Sequence, residues 1–177
     1  PATRRSGKAR QIEEESISIL TGGRPQTNWP EGTVTRDPQK WPMSMKNGVG
    51  FIALEASRQL GRQIPLYCAV TWGAASLNHF WPWPRKNVVM CYDERLDYSD
   101  LLEGMDDWGA EPPVEYANEL ARRIRVRMKN VMANIRGEQP PKGFFDYRIM
   151  KEVPETEPFA DPHQVDARAL THAQPRA

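Results

Sequence analysis

The sequence predicts an α/β fold, a mixed sheet flanked by helices. Two observations carry this expectation. Three segments place apolar residues at helical spacing, and short apolar runs of strand length lie among them, the alternation that builds layered α/β structures. At 177 residues the chain is long enough to bury one sizeable core.

Residues 8–20 predict the first helix: Ile12, Ile17 and Leu20 share a face, Glu13, Glu14 and Glu15 sit near its start, and Gly22-Gly23 supply the stop. Residues 25–29 read as a short extended stretch, a polar strand despite Gln26, Thr27 and Asn28. Residues 30–46 hold three prolines and predict a long loop, a length that compact domains reserve for function or leave unstructured. A second helix is expected over 47–60, where Val49, Ile52, Ala53, Ala56 and Leu60 keep the period and Gly61 ends it. The run 64–72 predicts an interior strand covered by helices, and 87–92 predicts another strand. Residues 113–135 give the strongest helix, with Ala117, Leu120, Ala121, Ile124, Met128, Val131 and Ile135 in phase. Beyond Arg136 apolar periodicity fades and six prolines appear, although Phe144, Phe145 and Tyr147 are candidates to dock back. The expected division is a folded domain over 1–150 and a Pro-rich tail over 151–177, which lacks the apolar content to offset its ordering entropy.

Composition excludes several classes of function. Lys and Arg number 24 against 23 Asp and Glu, so no global field attracts nucleic acid, and the basic residues lack the aromatic interleaving of a nucleic-acid surface. Cys68 and Cys91 form neither a disulfide framework nor a metal-ligand spacing, so a reducing, cytoplasmic compartment is expected. Cys68 reads as a small packed residue, not a reactive thiol. No stretch approaches a membrane span, and no signal-peptide pattern opens the chain. The start at Pro1, in mid-phrase, reads as a piece of something longer. Two surface features suggest lipid. Arg122, Arg123, Arg125, Arg127 and Lys129 crowd the long helix, as an anionic-membrane contact or as a solvated face. Phe80, Trp81 and Trp83, stiffened by Pro82 and Pro84, suit either a lipid interface or packing beneath a loop.

The most informative stretch runs Trp29-Pro30-Glu31-Gly32-Thr33-Val34-Thr35-Arg36-Asp37. It turns at Gly32 and presents a carboxylate, two hydroxyls and a guanidinium from one loop. Glycine lets a ligand approach the backbone, and amides with a guanidinium suit an oxyanion or phosphate. The bland alternative is a surface turn with an incidental ion pair.

This stretch resembles the third sequence block of the phospholipid and glycerol acyltransferase family, a strand ending in Pro-Glu-Gly-Thr, here Pro30-Glu31-Gly32-Thr33. The resemblance continues in family order. Lys46, Gly48 and Ala53 match the segment that opens the next helix. Ile64-Pro65-Leu66-Tyr67 is similar to the fourth block, and Trp72-Gly73-Ala74 follows as in one bacterial branch. Pro84 to Val89 and Asp97 to Leu101 resemble that branch's next strand and helix entry. Pro1-Ala2-Thr3-Arg4 resembles the tail of the second block, whose arginine is Arg4, or Arg5 one position on. The likeness covers about residues 1–136.

The resemblance implies a glycerolipid acyltransferase-like fold, incomplete at its N-terminus. It implies an O-acyltransferase that moves a fatty acyl group from acyl-CoA or acyl carrier protein to a lysophospholipid, 1-acylglycerol-3-phosphate foremost, at the cytoplasmic face of a membrane. No bound cofactor or metal is implied beyond the acyl donor, and no nucleic acid. In the family a His with an Asp five positions later is the catalytic dyad. Here His79 is followed at that distance by Pro84, His163 by Arg168 and His172 by Ala177, so the dyad is absent from this chain. What the chain is expected to supply is the acceptor side: Glu31, Gly32 and Thr33 lining the site, with Arg4 and Arg36 on the phosphate. Val34 stands where many members carry the phosphate-gripping arginine. The alternative function is a lipid- and phosphate-binding module without acyl transfer.

Overall fold

The computed structural model describes residues 7–32, 41–73 and 88–155. Three helices, α1 (Gly7–Thr21), α2 (Gly48–Leu60) and α3 (Val114–Arg136), form the main mass. Four strands, β1 (Tyr67–Trp72), β2 (Val89–Arg95), β3 (Gly143–Asp146) and β4 (Lys151–Pro154), attach to it, and short 3₁₀ turns cover Ser99–Leu102 and Met105–Asp107.

The helices end where local chemistry dictates. Gly61 and Gly137 take left-handed φ of 61° and 65° just past α2 and α3, a conformation that returns backbone amides to the last turn at little steric cost. α2 packs against both α1 and α3. The approach to α3 is backbone to backbone, because a Cβ on Gly50 would collide with the main chain of Ala117. Leu54, Ala56, Tyr98, Leu101 and Leu120 form the centre of the core. The Tyr98 hydroxyl donates to the Ile64 carbonyl (3.0 Å) and lies 3.1 Å from Ser57 Oγ, so the buried phenol is satisfied. On α1, Ile17 and Leu20 reach the core as expected, but Ile12 is 53% exposed. Ser16 takes the buried position instead, accepting from Gln26 Nε2 at 2.8 Å.

That hydrogen bond corrects the polar strand expected over 25–29. Among the described residues the segment finds no partner strand; Gln26 pins it to α1 as an irregular connection.

The strands depart from the single mixed sheet. Among the described residues they form two separate antiparallel pairs, β1 with β2 and β3 with β4. A parallel pair needs a helical crossover. Here α1 and α2 precede both strands of the first pair, and 147–150 turns tightly between the second. The interior-strand expectation for β1 also fails on one side. Cys68 and Val70 are buried, whereas Tyr67, Met90 and Tyr92 lie exposed. The helices that were to cover that second face pack on each other.

The boundary at 150 moves as well. β4 lies in the expected tail, and Glu155 just past it pairs with Arg125 and Lys129 of α3. Phe144 is buried beneath the Arg125 guanidinium, 3.9 Å from its ring centroid, so the expected docking of this region occurs. Ion pairs between groups far apart in sequence supply what apolar content could not. Residues 156–177 lie outside the described residues.

At the end of α3, Arg136 stands over two rings, 4.6 Å from the Trp41 centroid and 5.1 Å from that of Trp72, and pairs with Glu138 at 2.7 Å. Among the described residues no helix is long and apolar enough to cross a membrane.

Candidate functional site

The loop after α1 makes a turn at Trp29–Gly32, closed by the Gly32 amide on the Trp29 carbonyl at 3.1 Å. Pro30 supplies the pre-set φ for a turn's second position, and Gly32 adopts φ +63°. The segment 41–46 returns alongside. Its Lys46 amide donates to the Pro30 carbonyl (2.8 Å), and its Met43 amide donates to the Glu31 carboxylate (2.5 Å). Glu31 is therefore held inward while Trp29 is 80% exposed.

Burial pushes the Glu31 carboxyl up from its ordinary value, and the Met43 hydrogen bond works against that rise. Desolvation disfavours the charged form more than one amide stabilises it.

The Lys46 side chain crosses the turn. Its Cε and Nζ would both stand 2.8 Å from a Cβ built on Gly32. Glycine is required here for its positive φ; a Cβ would in addition push aside the flexible end of Lys46. Lys46 belongs to the motif following Pro-Glu-Gly-Thr, yet sequence reasoning gave it no site role. Its signal was its place in the Lys-x-Gly pattern, and only the fold shows it lying across the turn.

Of the expected site residues, the structure brings Glu31 and Gly32 together with Lys46. Arg4, Thr33 and Arg36 lie outside the described residues, as do Phe80, Trp81, Trp83 and all three histidines. The described arrangement offers a half-buried carboxyl that can accept from or donate to a hydroxyl, beside an ammonium that can meet an anion. It holds no nucleophile–base pair.

The basic residues of α3 are absorbed within the protein. Arg123 pairs with Asp100 (2.5 Å) and Glu119 (2.9 Å), Arg122 with Glu119 (2.7 Å), and Arg127 with Asp93 (3.0 Å). Arg125 and Lys129 are buried on Glu155. Neither the membrane-attracting stripe nor the solvated face describes them.

Burial raises the Cys68 thiol to about 11, with Asp93 adding to the rise, so it remains a packed, protonated group at neutral pH. A groove of about 400 Å³ runs between α1 and α2, lined by Glu13, Glu14, Ile17, Phe51, Glu55 and Glu111 among others. It includes none of Glu31, Gly32 and Lys46, and its acidic lining is ill suited to phosphate. Among the described residues no group of three or more His, Cys, Asp or Glu is placed to hold a metal ion.

No family model, no curated protein and no solved structure matches the chain.

Proposed function

We propose that this chain is the acceptor-binding part of an O-acyltransferase that acylates a lysophospholipid, with 1-acylglycerol-3-phosphate as the leading acceptor. One observation carries the reading: the Pro-Glu-Gly-Thr stretch and the segment that opens the next helix, both of which resemble the family, meet in space, Lys46 of the later one lying over Gly32 of the earlier one, next to Glu31 in the chain. A turn that presents a carboxyl to a hydroxyl and an ammonium to a phosphate suits this acceptor class. The acyl donor is acyl-CoA or acyl carrier protein, and the site works against the cytoplasmic surface of a membrane. The His-Asp dyad that deprotonates the hydroxyl lies outside this chain, and such general-base catalysis is worth about 10²- to 10⁴-fold.

Two measurements test the reading. The 177-residue chain should bind lysophosphatidate more tightly than monoacylglycerol. Gly32→Ala should weaken that preference, since the new Cβ displaces Lys46. Equal binding of both lipids, or none, would remove phosphate recognition. The chain should also show no acyl-CoA-dependent acylation of lysophosphatidate; detectable turnover would overturn the placement of the dyad elsewhere.

The absence of any His with an Asp at the dyad spacing favours one second reading, a lipid- and phosphate-binding module without chemistry. Coding sequence upstream of Pro1 separates the two: an Asn-His-x-x-x-x-Asp stretch there supports the enzyme, and its lack supports the module.

A further inference from the structure

The β3–β4 hairpin lies beyond the stretch that carries the family resemblance, yet it touches the segment that holds the acceptor turn. Ser44 is buried, its amide donates to the Phe145 carbonyl at 3.0 Å, and its hydroxyl lies 3.2 Å from Asp146 Oδ1. Met43, the preceding residue, is the one whose amide holds Glu31. Lys46, two residues on, is tied to Pro30 and covers Gly32. The hairpin itself is gripped from behind: Lys129 Nζ donates to the Gly143 carbonyl at 2.9 Å and pairs with Glu155, as does Arg125.

An unbroken set of contacts therefore runs from α3 through the hairpin to Ser44 and on to Glu31. We infer that the β3–β4 hairpin is a positioning element for Glu31, acting through the two bonds it makes to Ser44. The alternative is that 41–46 is held by burial alone. Trp41, Met43 and Met45 are apolar, and the last two are buried, so packing restrains the segment in any case. Packing is non-directional, however, and does not decide which way an amide points. The Phe145 carbonyl and the Asp146 carboxylate do, because each bond has a preferred line. With Ser44 oriented, the peptide next to it is restrained as well, and its neighbour's amide, that of Met43, is the donor to Glu31.

The importance of Glu31 to acceptor binding rests on the function proposed above; the mechanical coupling does not. The test keeps them apart by reading Glu31 directly in the full chain. Ser44→Ala and Asp146→Ala each remove the side-chain bond, and Asp146→Asn retains an acceptor for Ser44 while losing the ion pair to Arg148. Amide exchange at Met43 and Leu54 and the carboxyl titration of Glu31 are followed by NMR. In both alanine variants Met43 should exchange about tenfold faster, the scale of one lost hydrogen bond, while Leu54 in α2 is unchanged. Glu31 should titrate further above its ordinary range, because the Met43 hydrogen bond that opposes the effect of burial is weakened. Asp146→Asn should resemble the wild type in both readouts. Unchanged Met43 exchange and Glu31 titration would overturn the inference. Equal acceleration at Met43 and Leu54 would also overturn it, by showing a global loss of stability. If lysophosphatidate fails to bind the wild type while the coupling is observed, the function falls and this inference stands.

Discussion

Between β1–β2 and β3–β4 the chain changes the way it fastens a pair of strands to α3. Cys68 and Val70 of β1 are buried on the side of the helix, where Val70 clusters with Val131 and Met132. The other pair is held by charge: Arg125 and Lys129 reach one carboxylate, Glu155, and Arg125 covers Phe144. One helix thus buries an apolar stripe and a cationic one. The apolar attachment is gradual, because each methylene adds its own increment. The ionic attachment is close to all-or-none, since removing one member leaves buried charges uncompensated.

The largest expected effect follows from that asymmetry. Glu155→Gln leaves two buried cations facing a neutral amide and should destabilise the protein by about 3 kcal/mol, measured by urea denaturation. Val70→Ala should cost about 2 kcal/mol in the same assay, the transfer of two methyl groups plus a partly collapsed cavity. If Glu155→Gln proves the milder change, the distinction between the two attachments fails.

Acid should separate the pairs without any mutation. Burial raises the Glu155 carboxyl, but Arg125 and Lys129 more than offset this and leave it below its ordinary value of 4.5. A carboxyl depressed by folding stabilises the folded state above the unfolded value and loses that contribution as pH falls through the folded one. Below pH 4.5 the Phe144 ring resonances should therefore shift before those of the Val70 methyls. Simultaneous loss of both would mean that the hairpin has no independent ionic latch. The smallest effect is expected at Asp93→Asn. Its pair with Arg127 is the half-exposed charge contact on the β2 side, with Arg127 37% exposed, and it should contribute about 0.5 kcal/mol or less.

This contrast also explains what the sequence reveals of the fold. α2, α3, β1 and β2 are legible because a periodic apolar stripe and a terminal glycine are local facts. β4 is not. Lys151-Glu152-Val153-Pro154 has one apolar side chain between charges, and its hold on the protein comes from Glu155 meeting residues 26 and 30 positions earlier. The basic helix misleads for much the same reason: beside the local Glu119, its partners Asp93, Asp100 and Glu155 are remote in sequence. At the candidate site the turn is legible from Pro30 and Gly32, whereas the place of Lys46 across it shows only in the fold. The tie from Ser44 to Asp146 spans 102 positions, and no local pattern announces it.

Arg136 gathers three distant points of the chain, Trp41, Trp72 and its own helix end, on a single guanidinium. In polymer terms it is a junction without a covalent bond, and it closes two large loops at once. Loop closure grows costly only slowly with length, by about 0.6 kcal/mol per doubling. Both rings can be reached only after β1, α3 and the 41–46 segment have come together. The junction therefore belongs to the native state more than to the folding transition state. Arg136→Ala should leave the folding rate nearly unchanged and speed unfolding, so the residue sets how long the folded molecule lasts more than how quickly it forms.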